Sequence, residues 1–104
     1  METPEELLGG SLLGERALGE RATLVQFSTA FCAPCRATRA VLRSVAEQVP
    51  GVVHVEVDAE RDLELVRRLD VRATPTTLVL DAAGREVRRA AGQPSRAQVI
   101  QALP

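Results

Sequence analysis

Apolar and polar residues along the chain follow first a strand pattern and then a helix pattern. The run 22–28 is apolar and rich in β-prone residues, which predicts a buried central strand. From Cys32 to Val49 the apolar residues instead recur at steps of three and four, which is typical of an amphipathic helix, and Pro50-Gly51 ends it. The apolar stripe of this predicted helix consists of Val41, Leu42, Val45, Ala46 and Val49.

The second half of the chain adds three further strands and two helices. In 52–58 apolar and polar residues alternate, with Val53, Val55 and Val57 on one side, which predicts a strand with one polar face. The remaining predicted elements are a helix over 62–69 with Asp62 as its N-cap, a strand over 76–80, a turn over 81–84, a strand over 86–91, and a helix that starts at a capping box over 95–98 and runs to Leu103.

This order of elements predicts an α/β domain. Strand–helix–strand units give parallel pairing, whereas the short turn over 81–84 requires an antiparallel pair, so the predicted central sheet is mixed, with helices on both faces. We assign the domain to 22–104. Residues 1–21 are expected to form an N-terminal segment that packs on the domain or precedes it, and a capping box over 3–6 predicts a short helix there.

Length and charge narrow the classes of function. With 104 residues the chain has room for one small domain, and its net charge of -1 argues against a nucleic-acid or anionic-membrane partner. No apolar run approaches the roughly 20 residues of a membrane helix, and the acidic start lacks the features of a signal peptide. We therefore expect a soluble cytoplasmic monomer without membrane contact, although the chain could also be the soluble domain of a membrane-tethered or exported protein.

The two cysteines carry the most specific chemical signal. Cys32 and Cys35 directly follow a predicted strand and open a predicted helix. A helix N-terminus presents unpaired N–H groups and about half a unit of positive charge, which lowers the pKa of a thiol below about 8.5 and stabilises its thiolate. Arg36 and Arg39 add positive potential, and Pro34 fits the first helical turn. This setting favours thiol–disulfide exchange.

Two other interpretations of the cysteine pair are weaker. A structural disulfide usually closes a long loop, and buried structural thiols do not require this short spacing. A structural zinc site needs about four ligands. The pair supplies two of them and His54 on a neighbouring strand could add one, so that only a dimer would complete the site. We therefore expect neither a metal nor an organic cofactor.

Three stretches of the sequence resemble the thioredoxin family, and the resemblance covers about 22–103. Residues 24–27 and 31–36 are similar to its active-site strand and motif, and 71–76 resembles its loop with a cis-proline facing the cysteines. Gly92 ahead of the last predicted helix also matches. The resemblance implies a thioredoxin fold with a redox-active centre.

The resemblance also implies the roles of individual residues. Cys32 would be the exposed attacking cysteine, Cys35 the buried resolving cysteine, and Pro75 would follow a cis peptide bond. The implied substrate surface is flat, small and apolar, and consists of Ala30, Phe31, Ala33, Pro34, Ala73, Thr74, Pro75, Ala91 and Gly92. The implied partners are disulfide-containing proteins and an electron donor such as thioredoxin reductase or a membrane dithiol relay.

Several residues depart from the family pattern. Phe31 replaces the usual Trp, which leaves an apolar contact possible but removes the indole N–H, and Ala33 replaces the usual Gly. Gln26 stands in place of the buried acid and cannot accept a proton, while His54 falls where the family often has Lys. We hypothesise that His54, or a water held by Gln26 and His54, moves the proton of Cys35. The alternative is a hydrogen-bonded imidazole without a role in turnover.

The resemblance implies a protein-disulfide reductase that works in electron transport and cell redox homeostasis. The same chemistry could run in the oxidising or isomerising direction in an exported setting, and the reduction potential separates these two functions. The third candidate is a thioredoxin-fold binding module with silent cysteines, which an exchange assay would identify.

Overall fold

A computed structural model of the protein describes residues 18–104 and contains four strands and three helices in this range. The capping box predicted over 3–6 lies outside the described residues. In chain order the elements are β1 (Ala22–Ser28), α1 (Ala33–Gln48), β2 (Val52–Asp58), α2 (Leu63–Arg68), β3 (Thr76–Leu80), β4 (Glu86–Ala91) and α3 (Arg96–Ala102). None of the helices within this part of the chain is long and apolar enough to cross a membrane.

The four strands form one mixed sheet in the order β2-β1-β3-β4. β1 pairs in parallel with β2, while β1 with β3 and β3 with β4 are antiparallel. All residues of β1 are buried, because this strand is paired on both edges and covered on both faces. The predicted mixed sheet is therefore confirmed, and β1 brings the chain directly to Cys32 from the centre of the molecule.

Side chains alternate across the sheet and build one apolar core on each face. The core against α2 consists of Val25, Phe27, Val55, Val57, Leu65, Leu69, Val71, Leu78 and Leu80. The core against α1 and α3 consists of Ala22, Leu24, Leu42, Val45, Val52, Val79 and Val99. The predicted stripe of α1 faces this second core, since Leu42 and Val45 are fully buried. Helices on both faces are confirmed.

The helix termini were predicted with mixed success. Asp62 is the N-cap residue of α2, as predicted, but its side chain makes no capping hydrogen bond. The φ and ψ of Asp62, -102° and 52°, are not the extended values of a capping residue. The carbonyl of Asp58 accepts from the N–H groups of Arg61 and Asp62 in the turn that precedes the helix. The capping box at Ser95 and Gln98 is confirmed, although α3 ends one residue before Leu103.

Candidate active site

Cys32 occupies the N-cap position of α1, and its backbone is extended there (φ -114°, ψ 102°). Its Sγ atom accepts a hydrogen bond from the backbone N–H of Cys35 at 3.2 Å. An N–H group that would otherwise lack a helical partner therefore points at this sulfur. Pro34 lies in the first turn, as expected, where a missing N–H removes no helical bond.

The two cysteines form a disulfide, and they differ in exposure. Cys35 is fully buried, whereas Cys32 is half-buried. The difference follows from position, since Cys32 ends the loop after β1 while Cys35 lies on the side of α1 that faces the sheet. A molecule in solution can therefore reach Cys32, whereas Cys35 is shielded from solvent.

The loop that leads into β3 lies at the same end of the sheet as Cys32. The peptide bond between Thr74 and Pro75 is cis. The Thr74 hydroxyl lies 3.4 Å from that of Thr29, which follows β1. The carbonyl of Pro75 accepts from the N–H of Gly92 at 2.8 Å. These two contacts join the segments after β1, before β3 and after β4 into one surface.

The exposure of this surface differs in part from what the sequence implied. Ala33 and Ala73 are exposed, and Thr74 and Gly92 are half-buried. Pro75 is buried, so its ring lies beneath the surface that was expected to include it. The side chains that are exposed or half-buried around the disulfide belong to Ala30, Phe31, Ala33, Pro34, Ala73, Thr74 and Ala91.

Phe31 is the largest exposed group beside the disulfide. Its ring is fully exposed, at 106% of the reference area. Its backbone lies in the left-handed region with φ 58°, which is uncommon for residues other than Gly. The sequence left open an apolar contact for Phe31, but the ring packs against no other residue in the range 18–104. The ring is therefore available to another molecule.

Behind the disulfide, Gln26 connects the backbone of Cys35 to the side chain of His54. The Gln26 side chain is fully buried. Its Nε2 donates to the carbonyl of Cys35 and to Ser28 Oγ, both at 2.8 Å. Its Oε1 lies 3.0 Å from His54 Nε2. Because an amide oxygen can only accept, His54 Nε2 is the donor in this last bond.

Charged groups surround His54 on the outer side. Burial lowers the pKa of His54 below its ordinary value, and Arg43 and Arg39 act in the same direction, whereas Glu56 opposes them. Arg39 donates to both carboxylate oxygens of Glu56, and its Nη2 lies 2.7 Å from Oε2. This bond is the main reason that the pKa of Glu56 is lowered.

The Arg39–Glu56 pair changes one expectation from the sequence. Arg39 was expected to add positive potential at Cys32, but its charge is matched by Glu56 on β2. Arg36 is exposed on the first turn of α1. The contribution of Arg39 to the cysteines is therefore weaker than the sequence suggested, because its guanidinium is already paired.

Sequence reasoning found Gln26 and His54 but missed three of their neighbours, namely Ser28, Arg39 as an ion-pair partner, and Glu56. A signal for two of them exists in the alternation of strands. Ser28 lies two residues after Gln26, and Glu56 two residues after His54, so each pair shares one face of its strand. The register that brings the two faces together, with Gln26 opposite Glu56, is visible only in the folded sheet.

Together these elements define an α/β domain with a disulfide-forming cysteine pair at the N-terminus of the helix that follows the central strand. The family model for Thioredoxin matches residues 15–104. The chain belongs to the thioredoxin family.

Individual relatives agree with this membership. Thioredoxin H5 from Oryza sativa subsp. japonica is 35% identical over 60 residues, which are 58% of this chain and 44% of the relative. Thioredoxin from Ophiophagus hannah is 31% identical over 58 residues, which are 56% of this chain and 55% of the relative. In these alignments the chain spans about half the length of the curated relatives it matches.

Solved structures share the fold. The thioredoxin of Malassezia sympodialis superimposes with a TM-score of 0.69 at 17% identity, over 89% of this chain and 82% of that structure. The thioredoxin of Fasciola hepatica superimposes with a TM-score of 0.69 at 26% identity, over 80% and 78% respectively. The predicted thioredoxin fold is confirmed.

Proposed function

We propose that the protein is a thiol–disulfide oxidoreductase that reduces protein disulfides through a Cys32/Cys35 dithiol–disulfide cycle. The observation that carries the proposal is the hydrogen bond from the Cys35 N–H to Cys32 Sγ at the N-terminus of α1. A thiolate at Cys32 would keep this donor and the positive end of the helix, so its formation is favoured. The burial of Cys35 supports the assignment of the two roles.

The cycle starts from the reduced protein. The Cys32 thiolate attacks one sulfur of a substrate disulfide, a bond forms between them, and the other substrate sulfur leaves as a thiolate that takes up a proton. The Cys35 thiol then loses its proton and attacks Cys32 Sγ. The Cys32–Cys35 disulfide forms, and the second substrate sulfur leaves and is protonated in turn. The substrate gains two electrons, and the protein dithiol loses them.

Substrates would dock on the surface around the disulfide. The exposed Phe31, Ala33 and Ala73 supply apolar contact area, and the segment at Thr74 and Gly92 offers backbone groups to an extended peptide. The proposed partners are disulfide-containing proteins and a donor of electrons, either a thioredoxin reductase or a membrane dithiol relay. We place this monomeric reductase in the cytoplasm, and the cis bond before Pro75 belongs to its proposed docking loop.

The test is the reduction potential together with an exchange assay. The chain has two cysteines, so free thiols counted by alkylation and mass after equilibration in thiol–disulfide buffers report this pair alone. We expect a value near about -270 mV and reduction of a protein disulfide such as that of insulin. A value of about -120 to -180 mV would instead indicate an oxidant or isomerase and move the protein out of the cytoplasm.

Two variants serve as internal controls for each other. Cys35→Ser should attack a substrate and accumulate the mixed disulfide, because the resolving thiol is missing. Cys32→Ser should form no mixed disulfide, because the remaining thiol is buried. If the unaltered protein exchanges with no disulfide at all, the binding-module interpretation replaces the proposed function.

A further inference from the structure

Both N–H donors and the oxygen acceptor of the Gln26 amide form hydrogen bonds, to groups on β1, α1 and β2. A primary amide has two N–H donors and one carbonyl acceptor. The donors bond to the carbonyl of Cys35 and to Ser28 Oγ, and the acceptor bonds to His54. A fully buried amide with these partners is rigidly oriented, because any rotation leaves buried polar atoms unpaired.

The direction of this amide follows from what each partner can do. The Cys35 carbonyl can only accept, so the amide nitrogen must point towards it and the amide oxygen towards β2. His54 Nε2 must therefore carry a hydrogen and donate. Gln26 lies between His54 and Cys35, and it has no basic atom. The hydrogen-bonded connection from the Cys35 backbone to the imidazole therefore runs through an amide that cannot take up a proton.

The network is anchored to the most firmly held strand. Gln26 lies in β1, which is paired with β2 on one edge and β3 on the other. Through Gln26, this strand holds the first turn of α1 at the residue whose sulfur must approach Cys32. The attack of Cys35 on a mixed disulfide requires the two sulfurs to align within a narrow range of distances and angles.

We propose that Gln26 is a positioning residue for Cys35 in the resolving step, and that His54 acts by donating to Gln26 rather than by moving a proton. The inference rests on the proposed exchange function and adds to it the residues that set the rate of the second half-reaction. It differs from both roles that the sequence left open for His54, because the imidazole moves no proton but still affects turnover through its hydrogen bond to Gln26.

The charges around His54 agree with this role. Arg39 and Arg43 of α1 face the imidazole together with Glu56 of β2, and burial keeps its pKa below the ordinary value. A neutral imidazole with its hydrogen on Nε2 makes the bond to Gln26 Oε1. A protonated imidazole makes the same bond, so the orientation of Gln26 persists in both states.

The two half-reactions can be followed separately with the aromatic disulfide 5,5′-dithiobis(2-nitrobenzoate). Reduced protein and reagent are mixed at equal concentrations in a stopped-flow spectrometer. Attack by Cys32 releases the first coloured thiolate, and attack by Cys35 on the mixed disulfide releases the second. Gln26→Met keeps the length of the side chain but removes its hydrogen bonds. Of the three bonds lost, one reaches Cys35, so we expect the second release to slow about tenfold, the upper range for one hydrogen bond, and the first to stay within about twofold.

His54 is tested by two substitutions that differ in one property. His54→Gln can still donate to Gln26 Oε1 but does not titrate, and we expect rates close to those of the unaltered protein from pH 6 to 8. His54→Phe cannot donate, and we expect its second release to slow about threefold. Val25→Ala is the matched control, because it weakens β1 from the opposite face and should leave the ratio of the two rates unchanged.

Each outcome decides one point. An unchanged second release in Gln26→Met, or in Gln26→Leu if the first variant does not fold, overturns the role of Gln26. A second release in His54→Gln as slow as in His54→Phe restores the proton-transfer hypothesis. A complete lack of the first release in the unaltered, reduced protein would contradict the proposed function instead, and so the two failures are distinguishable.

Discussion

At the scale of single residues, Thr77 is notable because its hydroxyl group is buried without a hydrogen-bond partner among residues 18–104. Thr77 is 4% exposed. It lies on β3 opposite Gln26 of β1 and Ala90 of β4, on the face of the sheet covered by α1 and α3. A buried hydroxyl without a partner costs stability, because its hydrogen bonds to water are lost on folding.

Thr77→Val should therefore stabilise the protein. Valine has nearly the same shape without the hydroxyl, and we expect the free energy of unfolding to rise by about 1 kcal/mol in urea titrations followed by far-UV circular dichroism. Thr38→Val is the matched control, because the Thr38 hydroxyl is buried but donates to the Pro34 carbonyl at 2.8 Å. The control should lose about 1 kcal/mol. Thr77 also lines a cleft between the sheet and α3, together with Val79, Val99 and Ala102. A loss in Thr77→Val would mean that water reaches the hydroxyl through this cleft.

At the scale of elements, the ion pair between Arg39 and Glu56 joins α1 to β2. Both side chains are about one third exposed, at 32% and 31%, and the guanidinium contacts both carboxylate oxygens. The pair lies one helical turn after Cys35, so it joins the part of α1 next to this cysteine to β2. Ion pairs that are fully exposed to solvent are weak, but bidentate geometry and partial burial strengthen the interaction.

A double-mutant cycle with Arg39→Ala and Glu56→Ala should give a coupling energy of about 1 kcal/mol at low salt. The same cycle on Arg68 and Glu64, an exposed pair within α2, should give about 0.3–0.5 kcal/mol. Both energies are measured by chemical unfolding of the single and double variants. Equal coupling in the two cycles would show that the pair between α1 and β2 contributes no more than an ordinary surface pair.

The elements were predictable from sequence where periodicity alone decides them. The four strands have the predicted bounds. β1, β2 and β3 follow apolar runs or alternation, whereas β4 is mostly exposed and was predicted from the short turn that returns the chain beside β3. The N-cap position of Asp62 was predictable from its residue type, but the absence of its side-chain bond was not, because that depends on the backbone angles of Asp62. The contacts of Gln26 were not predictable either. They depend on the register of β1 with β2, which no local pattern encodes.

At the scale of the whole molecule, two groups predict how stability depends on pH. Folding lowers the pKa of His54 from 6.5 and that of Glu56 from 4.5. As the pH falls, the unfolded chain takes up each proton before the folded protein does, which favours unfolding. Stability from His54 is therefore complete above about pH 6.5 and declines below it. Stability from Glu56 declines only below about pH 4.5.

The contribution of His54 can be isolated by comparing the free energy of unfolding of the unaltered protein with that of His54→Gln. We expect the free energy of unfolding of the unaltered, oxidised protein to fall between pH 7 and 5, and that of His54→Gln to fall less over the same range. Below about pH 4.5 both should lose stability together, as carboxylates such as Glu56 are protonated. Parallel curves between pH 7 and 5 would mean that His54 binds its proton equally well in the folded and unfolded states.

The central position of β1 has a consequence for the dynamics of the molecule. β1 is covered on both faces and paired on both edges, so its amide hydrogens should exchange with solvent only when the whole domain unfolds. β4 lies at the sheet edge and is mostly exposed, so its amide hydrogens should exchange through smaller local openings. Cys35, the resolving residue of the proposed cycle, is thus tethered through its carbonyl to the strand that we expect to exchange most slowly.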